Sequence, residues 1–143
     1  MVYDAPAEFD LLAETDRCRR TVLIVEDDAS QSDALSWRLE HLGYSTLVAV
    51  AGQDGLLLAE TEQPDVVLLD LGLPDIDGLE VCERLADHPD TCGIPVIVVS
   101  GSDQDDIVRR ARAAGCEYFL KKPYDPNVVL ALVERALDRL GDA

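Results

Sequence analysis

Basic residues are scarce in this chain. Its 143 residues include 12 lysines and arginines against 29 aspartates and glutamates, which gives a formal net charge of −17. A protein that binds DNA or RNA directly needs a basic footprint for the phosphates, so this charge argues against direct nucleic-acid binding by the chain. It favours a self-repelling protein whose partners are basic proteins or metal ions.

Cysteine and histidine are also sparse. The four cysteines are Cys18, Cys82, Cys92 and Cys116. No two of them are spaced as Cys-x-x-Cys, which excludes the usual zinc and dithiol redox motifs. The two histidines, His41 and His88, stand apart from any cluster of metal ligands, so neither is predicted to bind a metal.

Long apolar runs are absent. The longest ones have the length of a strand, far short of a membrane span. The start, Met1 to Pro6, lacks the basic residues and the apolar stretch of a secretory signal. These absences predict a cytoplasmic protein without membrane contact. With 48% apolar residues, the chain is long enough for one domain with a core.

Apolar segments of strand length alternate with amphipathic segments from Thr21 onward. The strands are predicted near 21–26, 45–50, 65–70, 94–99 and 116–121. Most are apolar on both faces, which is typical of a parallel sheet covered by helices on both sides. The pattern predicts an α/β fold, a flavodoxin-like (βα)5 doubly wound parallel sheet with strand order 2-1-3-4-5. Residues 1–20 lack a clear period and are predicted to be an N-terminal extension, flexible or a linker, before a domain at 21–141.

The intervening helices each show one apolar face. They are predicted at 30–42, 52–62, 78–87, 104–114 and from Asp125-Pro126 onward. Gly43 is predicted to end the first helix, whereas Gly52 and Gly55 weaken the pattern at the start of the second. In the third helix the apolar stripe is Leu79, Cys82, Leu85 and Ala86, and in the last it is Val129, Val133, Ala136 and Leu140.

Polar residues follow the apolar runs. Glu26, Asp27 and Asp28 follow the first strand, and Asp70 closes the third. In an open parallel sheet the ligand site lies at the carboxyl ends of the strands where chain order reverses, here between strands 1 and 3. Carboxylates this close repel one another, and Mg²⁺ would relieve the repulsion. The alternative is that residues 26–28 only cap the first helix, and Asp28 is a candidate cap in either case.

A hydroxyl and a cation follow the two neighbouring strands. Ser100 follows the fourth strand, and Lys121 and Lys122 follow the apolar residues of the fifth. A phosphoryl group brought to Asp70 would need the charge neutralisation that an ammonium and a hydroxyl provide. The two lysines point to opposite faces of the strand, so only one can face the site. The alternative for Lys122 is an ordinary surface lysine.

Four short motifs stand at these strand ends. They are Val25-Glu26-Asp27-Asp28, Leu69-Asp70-Leu71-Gly72-Leu73-Pro74 with Asp77-Gly78, Val99-Ser100-Gly101, and Lys122-Pro123. In this order and at these spacings they resemble the receiver domain of two-component response regulators, the chemotaxis-type single-domain receiver family. The resemblance covers about Thr21 to Leu140.

The resemblance implies a metal site and a phosphoacceptor. Asp70 would be the phosphoacceptor, and Mg²⁺, or Mn²⁺ in its place, would be the cofactor. Its ligands would be Asp27 directly, Glu26 through water, Asp70, and the backbone carbonyl of Gly72. Ser100 would bond the phosphoryl group. Lys122 would neutralise it, and its peptide bond to Pro123 would be cis.

The resemblance also implies a signalling role rather than an enzyme that acts on a separate substrate. The phosphoryl group would come from a phosphohistidine of a sensor histidine kinase or a histidine phosphotransfer protein. Phosphorylation would draw Ser100 inward, and Phe119 would fill the gap. This would shift the face of helix 4, strand 5 and helix 5, where a downstream protein target or output domain docks; homodimerisation through that face is left open. The alternative for Phe119 is an ordinary core residue.

Two other functions compete with this interpretation. One is a phosphatase with an aspartate nucleophile, which needs a second acid two residues after the nucleophile; position 72 is Gly. The other is a receiver-like module that binds proteins independently of phosphorylation. Such modules usually lose the acceptor or the lysine, and both Asp70 and Lys122 are present here.

Overall fold

The computed structural model describes residues 20–141, with the side chains of the last helix described as far as Asp138. The predicted extension lies outside these residues except for Arg20, as does Cys18. The side chain of Leu140 is also outside the described part.

Five strands and five helices alternate along the chain. The strands are β1 (Thr21–Val25), β2 (Ser45–Ala49), β3 (Val66–Asp70), β4 (Val96–Ser100) and β5 (Tyr118–Lys121). The helices are α1 (Ala29–His41), α2 (Gly52–Glu62), α3 (Gly78–Asp87), α4 (Ile107–Ala113) and α5 (Pro126–Gly141). The predicted alternation is confirmed, with boundaries displaced by up to three residues.

The strands form one parallel sheet in the order β2-β1-β3-β4-β5. The predicted order is therefore confirmed. Chain order reverses between β1 and β3, where Val25 is paired with Leu69. This register places the residue after β1 level with Asp70 at the end of β3, so the two chain segments leave the sheet side by side.

Alternate residues of each strand point to opposite faces of the sheet, and each face is covered by helices. Val22 and Ile24 of β1 pack with Leu39 of α1 and Val133 of α5. Leu23, Val25 and their counterparts on β3 and β4 pack instead with the buried residues of α2, α3 and α4. Two apolar layers therefore hold the sheet, and its polar strand ends are left at one edge.

The helix ends follow local chemistry. The Asp28 side chain accepts from the backbone N–H groups of Ser30 and Gln31 and so caps α1. Gly43, which was predicted to end this helix, has a φ of 97°, a conformation that favours glycine. Two expectations are corrected: α4 begins at Ile107, not 104, and Ala86 is exposed on α3, where Val81 is buried instead.

Cys82 and Cys116 have the apolar setting that their sequence context predicts, although Cys116 is only half-buried. Burial raises the pKa of the Cys82 thiol to about 12, so this thiol stays protonated. Within residues 20–141, no helix combines the length and apolar content that crossing a bilayer requires.

Candidate functional site

Three carboxylates meet at the edge of the sheet where β1 and β3 end. Glu26, Asp27 and Asp70 each offer an oxygen atom, and these oxygens lie within 4.8 Å of one another. Glu26 and Asp70 are 3% and 6% exposed, whereas Asp27 is open to solvent. The sheet register brings the acids together, and the apolar strands below them restrict access to one side.

Burial makes the charged form of Glu26 less favourable. Desolvation, with a hydrogen bond to Asp70, raises the pKa of Glu26 to about 7, although its bond to Lys122 acts in the opposite direction. The helix-capping alternative applies to Asp28 alone, because Asp28 caps α1 whereas Glu26 turns towards Asp70 and Lys122. A divalent cation would stabilise the charged form of Glu26 and so oppose the desolvation that raises this pKa.

Lys122 supplies the only described ammonium that contacts the acids of the cluster within residues 20–141. Its Nζ lies 2.9 Å from Glu26 Oε1 and 3.3 Å from Asp70 Oδ2. Burial alone would lower the pKa of Lys122, but the contacts with the two carboxylates outweigh it and raise the pKa. The neighbouring Lys121 instead pairs with Asp103 at 2.9 Å, and the peptide bond between Lys122 and Pro123 is cis.

Ser100 lies at the end of β4, one strand away from Asp70. Its side chain is 3% exposed, and its Oγ accepts a hydrogen bond from the Ser102 N–H at 3.1 Å. Asp70, Ser100 and Lys122 line one open cavity of about 520 Å³. The structure therefore brings the predicted hydroxyl, cation and carboxylate to one space that a phosphoryl group can enter.

Gly72 lines the same cavity directly beside Asp70. Its N–H donates to Asp70 Oδ1 at 3.2 Å. A Cβ at this position would lie 3.9 and 4.0 Å from the two carboxylate oxygens, which is ordinary contact. The backbone at Gly72 is thus close to the acid cluster, where its carbonyl was predicted to be a metal ligand.

Phe119 of β5 is half-buried and packs against the apolar layer on the side of α2, α3 and α4. It is paired with Val98, two residues before Ser100 on β4. Tyr118 packs against the opposite layer, as the alternation of strand side chains requires. Phe119 therefore lies on the strand next to Ser100 and belongs partly to the core.

One contact at the site was not predicted from the sequence. Asp75, in the loop after β3, accepts hydrogen bonds from the backbone N–H groups of Gly52 at 2.7 Å and Gln53 at 2.9 Å. These are the first amides of α2, which has no cap from its own preceding residue. The two bonds hold the pKa of Asp75 below its usual range and tie the loop that carries Gly72 to α2.

Packing fixes both ends of the same loop. The Gly78 N–H donates to the carbonyl of Leu71, and the Asp77 side chain caps α3 by accepting from the Leu79 N–H at 2.9 Å. Gly52 is so close to Ile76 that an added Cβ would lie 2.5 Å from its Cγ1. No local sequence signal marks the Asp75 contact, since its partners are 22 and 23 residues away.

The donor set suits Mg²⁺. The ligand atoms that Glu26, Asp27 and Asp70 offer are all carboxylate oxygens. Mg²⁺ prefers a few carboxylates together with water and phosphate oxygens. The open side of the cluster, at the exposed Asp27, leaves room for water.

Comparison with known proteins gives the family. The model of the response regulator receiver domain matches residues 22–134. This match covers most of the chain, and the chain belongs to the response regulator receiver domain family. Members of this family are signalling domains that typically bind Mg²⁺ and interact with histidine kinases or phosphotransfer proteins and with downstream targets.

Two relatives and one solved structure illustrate the similarity. The DNA-binding dual master transcriptional regulator RpaA of Synechocystis sp. is 41% identical over 120 residues, which are 82% of this chain and 49% of that protein. The chain thus spans about half the length of that regulator. Protein PilH of Pseudomonas aeruginosa is 34% identical over 81% of this chain and 96% of its own length.

The solved structure is a CheY-like response regulator receiver domain protein from Methanospirillum hungatei JF-1. It is 28% identical, with a TM-score of 0.81, and the similarity covers 86% of this chain and 97% of that one. The fold predicted from the sequence and the family that it resembles are both confirmed by these comparisons.

Proposed function

We propose that this chain accepts a phosphoryl group on Asp70 from the phosphohistidine of a sensor histidine kinase or a histidine phosphotransfer protein. The observation that carries the proposal is the position of Lys122, whose ammonium lies between the buried Glu26 and Asp70. An ammonium held at this place can follow negative charge as it moves from the donor onto Asp70. We further propose that residues 21–141 form the receiver domain.

In the transfer step, an oxygen of the Asp70 carboxylate attacks phosphorus as the N–P bond of the phosphohistidine breaks. The imidazole leaves with the electron pair of that bond, and the product is an aspartyl phosphate. Lys122 Nζ, 3.3 Å from Asp70 Oδ2, is placed to stabilise the phosphoryl oxygens. Ser100, on the same cavity, is the proposed hydrogen-bond donor to the phosphoryl group.

Glu26, Asp27, Asp70 and the Gly72 carbonyl are the proposed ligands of Mg²⁺, which Mn²⁺ could replace. The ion would neutralise the carboxylates and the oxygens of the incoming phosphoryl group. Asp27 is the exposed member of the set, and Glu26 is the buried one that also contacts Lys122. Gly72 is held beside Asp70 by its own N–H bond.

The proposed output is a shift of the face formed by α4, β5 and α5. Phosphorylation adds charge and acceptor oxygens that draw Ser100 towards Asp70, and Phe119 then moves into the space beside β4. The pairing of Phe119 with Val98, two residues before Ser100 on β4, supports this coupling. A downstream protein target or an output domain would dock on this face, and a homodimer through it remains compatible with the proposal.

The test is phosphorylation by acetyl phosphate with Mg²⁺, followed by intact mass. We expect one phosphoryl group on the wild-type chain and none on Asp70→Asn, because an amide is a poor nucleophile. Asp105→Asn, an exposed acid in the loop before α4, is the matched control and should be labelled normally. Failure of the wild-type chain to accept the group would favour the phosphorylation-independent module, whereas steady release of phosphate from a phosphomonoester would favour the phosphatase.

A further inference from the structure

Arg110 is a second cation on the cavity that holds Asp70. It lies on α4, is exposed, and lines this cavity together with Ser100 and Lys122. Its Nη1 donates to the side-chain oxygen of Gln104 at 3.0 Å, which keeps the guanidinium near the loop that follows β4. This bond joins the guanidinium to a neutral amide.

The charges around the cavity are unequally balanced. Lys122 is engaged by Glu26 and Asp70, so much of its charge is already compensated. The other acid on the cavity wall, Asp77, accepts from the Leu79 N–H. Within residues 20–141, by contrast, no carboxylate lies within ion-pair distance of Arg110.

The adjacent arginine behaves differently. Arg109 Nη2 lies 3.8 Å from Asp106 Oδ2, and Arg109 is absent from the cavity wall. The two arginines share a helix, a charge and an exposed position. Only Arg110 lines the cavity that holds Asp70, so Arg109 is the matched control for substitutions of Arg110.

We infer that Arg110 binds the anionic end of small acyl phosphates and thereby helps them to phosphorylate Asp70 directly. The inference rests on the proposed function. A chain with a net charge of −17 repels a small dianion, so a cation at the cavity that is not already paired with a carboxylate favours its binding. A guanidinium is suited to the oxygens of phosphate and carboxylate, which it binds through two parallel N–H groups.

The space allows such a donor to enter. The cavity measures about 520 Å³, and the residues that border it at Gly72 and Ser102 are small. With acetyl phosphate, the Asp70 oxygen forms a bond to phosphorus as the bond between phosphorus and the acetyl oxygen breaks. Acetate leaves with that electron pair, and no proton transfer is required. Arg110 would contact the phosphoryl oxygens, which carry the negative charge of the donor, and Lys122 would contact the same group from the side of Asp70.

The experiment measures the initial rate of Asp70 phosphorylation by acetyl phosphate with Mg²⁺, at donor concentrations below saturation. Arg110→Gln should slow labelling roughly three- to tenfold, the range expected for one charge-assisted contact near solvent. Arg109→Gln makes the same change in net charge and should label at the wild-type rate. Arg110→Lys keeps the charge but not the two parallel N–H groups, so its rate should lie between those of the wild type and Arg110→Gln.

The readouts separate a binding role from a structural one. The loss in Arg110→Gln should appear as a higher donor concentration for half-maximal rate, with the rate at saturation little changed. It should also shrink at high salt, because salt screens an exposed charge. Equal rates for Arg110→Gln and the wild type, or equal slowing by Arg109→Gln, would overturn the inference while the proposed function stands. A wild-type chain that takes up no phosphoryl group would overturn both.

Discussion

Two loops border the cavity, and they are held in very different ways. One joins β3 to α3 and covers residues 71–77; the other joins β4 to α4 and covers residues 101–106. Both contribute residues to the wall around Asp70. The first is tied to the rest of the fold at several points, whereas the second is tied mainly to exposed side chains.

The β3–α3 loop is bonded at its centre and at its end. Asp75 caps α2 with two hydrogen bonds, and Asp77 caps α3. Gly78 is buried against the backbone of Leu71, so the two ends of the loop touch. This loop carries Gly72, whose backbone has to stay beside Asp70 if its carbonyl is to bind Mg²⁺.

The β4–α4 loop has weaker ties. Lys121 pairs with Asp103, but the two side chains are 60% and 89% exposed, so water screens this ion pair. The helix that follows receives no hydrogen bond from a capping side chain at Asp106. This is the loop that follows Ser100, the residue proposed to move on phosphorylation. The loop beside the proposed metal site is therefore held by more bonds than the loop beside Ser100.

Among the substitutions that test the difference between the two loops, Gly78→Ala is expected to cause the largest loss of stability. A Cβ at Gly78 would lie 2.4 Å from the Cα of Leu71 and 2.9 Å from its carbonyl oxygen, and a backbone can move away only at high cost. We expect a loss of about 2–3 kcal/mol of unfolding free energy, measured by urea denaturation.

Gly93→Ala is the matched control for this substitution. An added Cβ at Gly93 meets no atom within 4 Å, so its stability should stay within about 0.5 kcal/mol of the wild type. If Gly78→Ala were as stable as Gly93→Ala, the contact between the two ends of the loop would not hold it in place.

A smaller effect is expected from Asp75→Ala, which removes the cap of α2. At neutral pH the melting temperature should fall, because the amides of Gly52 and Gln53 lose their acceptor. Asp103→Ala removes another exposed carboxylate, from the other loop, and should lower the melting temperature less. Equal decreases in melting temperature for the two variants would show that the β3–α3 loop is held no more firmly than the β4–α4 loop.

The pH dependence of the same pair sharpens the test. The folded pKa of Asp75 lies below its ordinary value of 3.8, so its contribution to stability is present above that pH and is lost as the pH falls through the folded pKa. The difference in melting temperature between wild type and Asp75→Ala should therefore be constant near neutral pH and should shrink below pH 3.8. A difference that grows on acidification would contradict the capping role.

Much of the site could be predicted from the sequence because it depends on strand ends. An apolar run that stops at Asp70 or Ser100 marks the edge of a buried strand, and parallel topology then brings these ends together. Strand alternation predicted that only one of the two lysines can face the site, and the resemblance to receiver domains selected Lys122. Lys122 is the residue that the structure places there.

The rest depends on contacts that no local pattern encodes. The bond between Asp75 and the start of α2 joins residues more than 20 positions apart, and an aspartate in a loop is usually explained by a turn. The start of α4 was predicted too early because Ser102 Oγ accepts from the Gln104 N–H, a local bond that competes with the helix. The exposed position of Ala86 depends on how α3 is rotated against its neighbours.

The smallest effect on stability, with a distinct effect on chemistry, is expected from Gly72→Asn. Position 72 in the β3–α3 loop has room for a side chain, since a Cβ there makes only ordinary contact with Asp70. The melting temperature should stay near the wild-type value.

The carboxamide would enter the cavity beside the phosphoryl group, where it can hydrogen-bond to water and hold it for attack. We expect loss of the phosphoryl group to become roughly two- to tenfold faster, measured by intact mass after removal of the donor. In Gly93→Asn, whose residue does not line the cavity, the phosphoryl group should be lost at the wild-type rate. An unchanged decay for Gly72→Asn would show that water reaches the phosphoryl group by a path that residue 72 does not border, and the opening would then have to lie on the side of the β4–α4 loop.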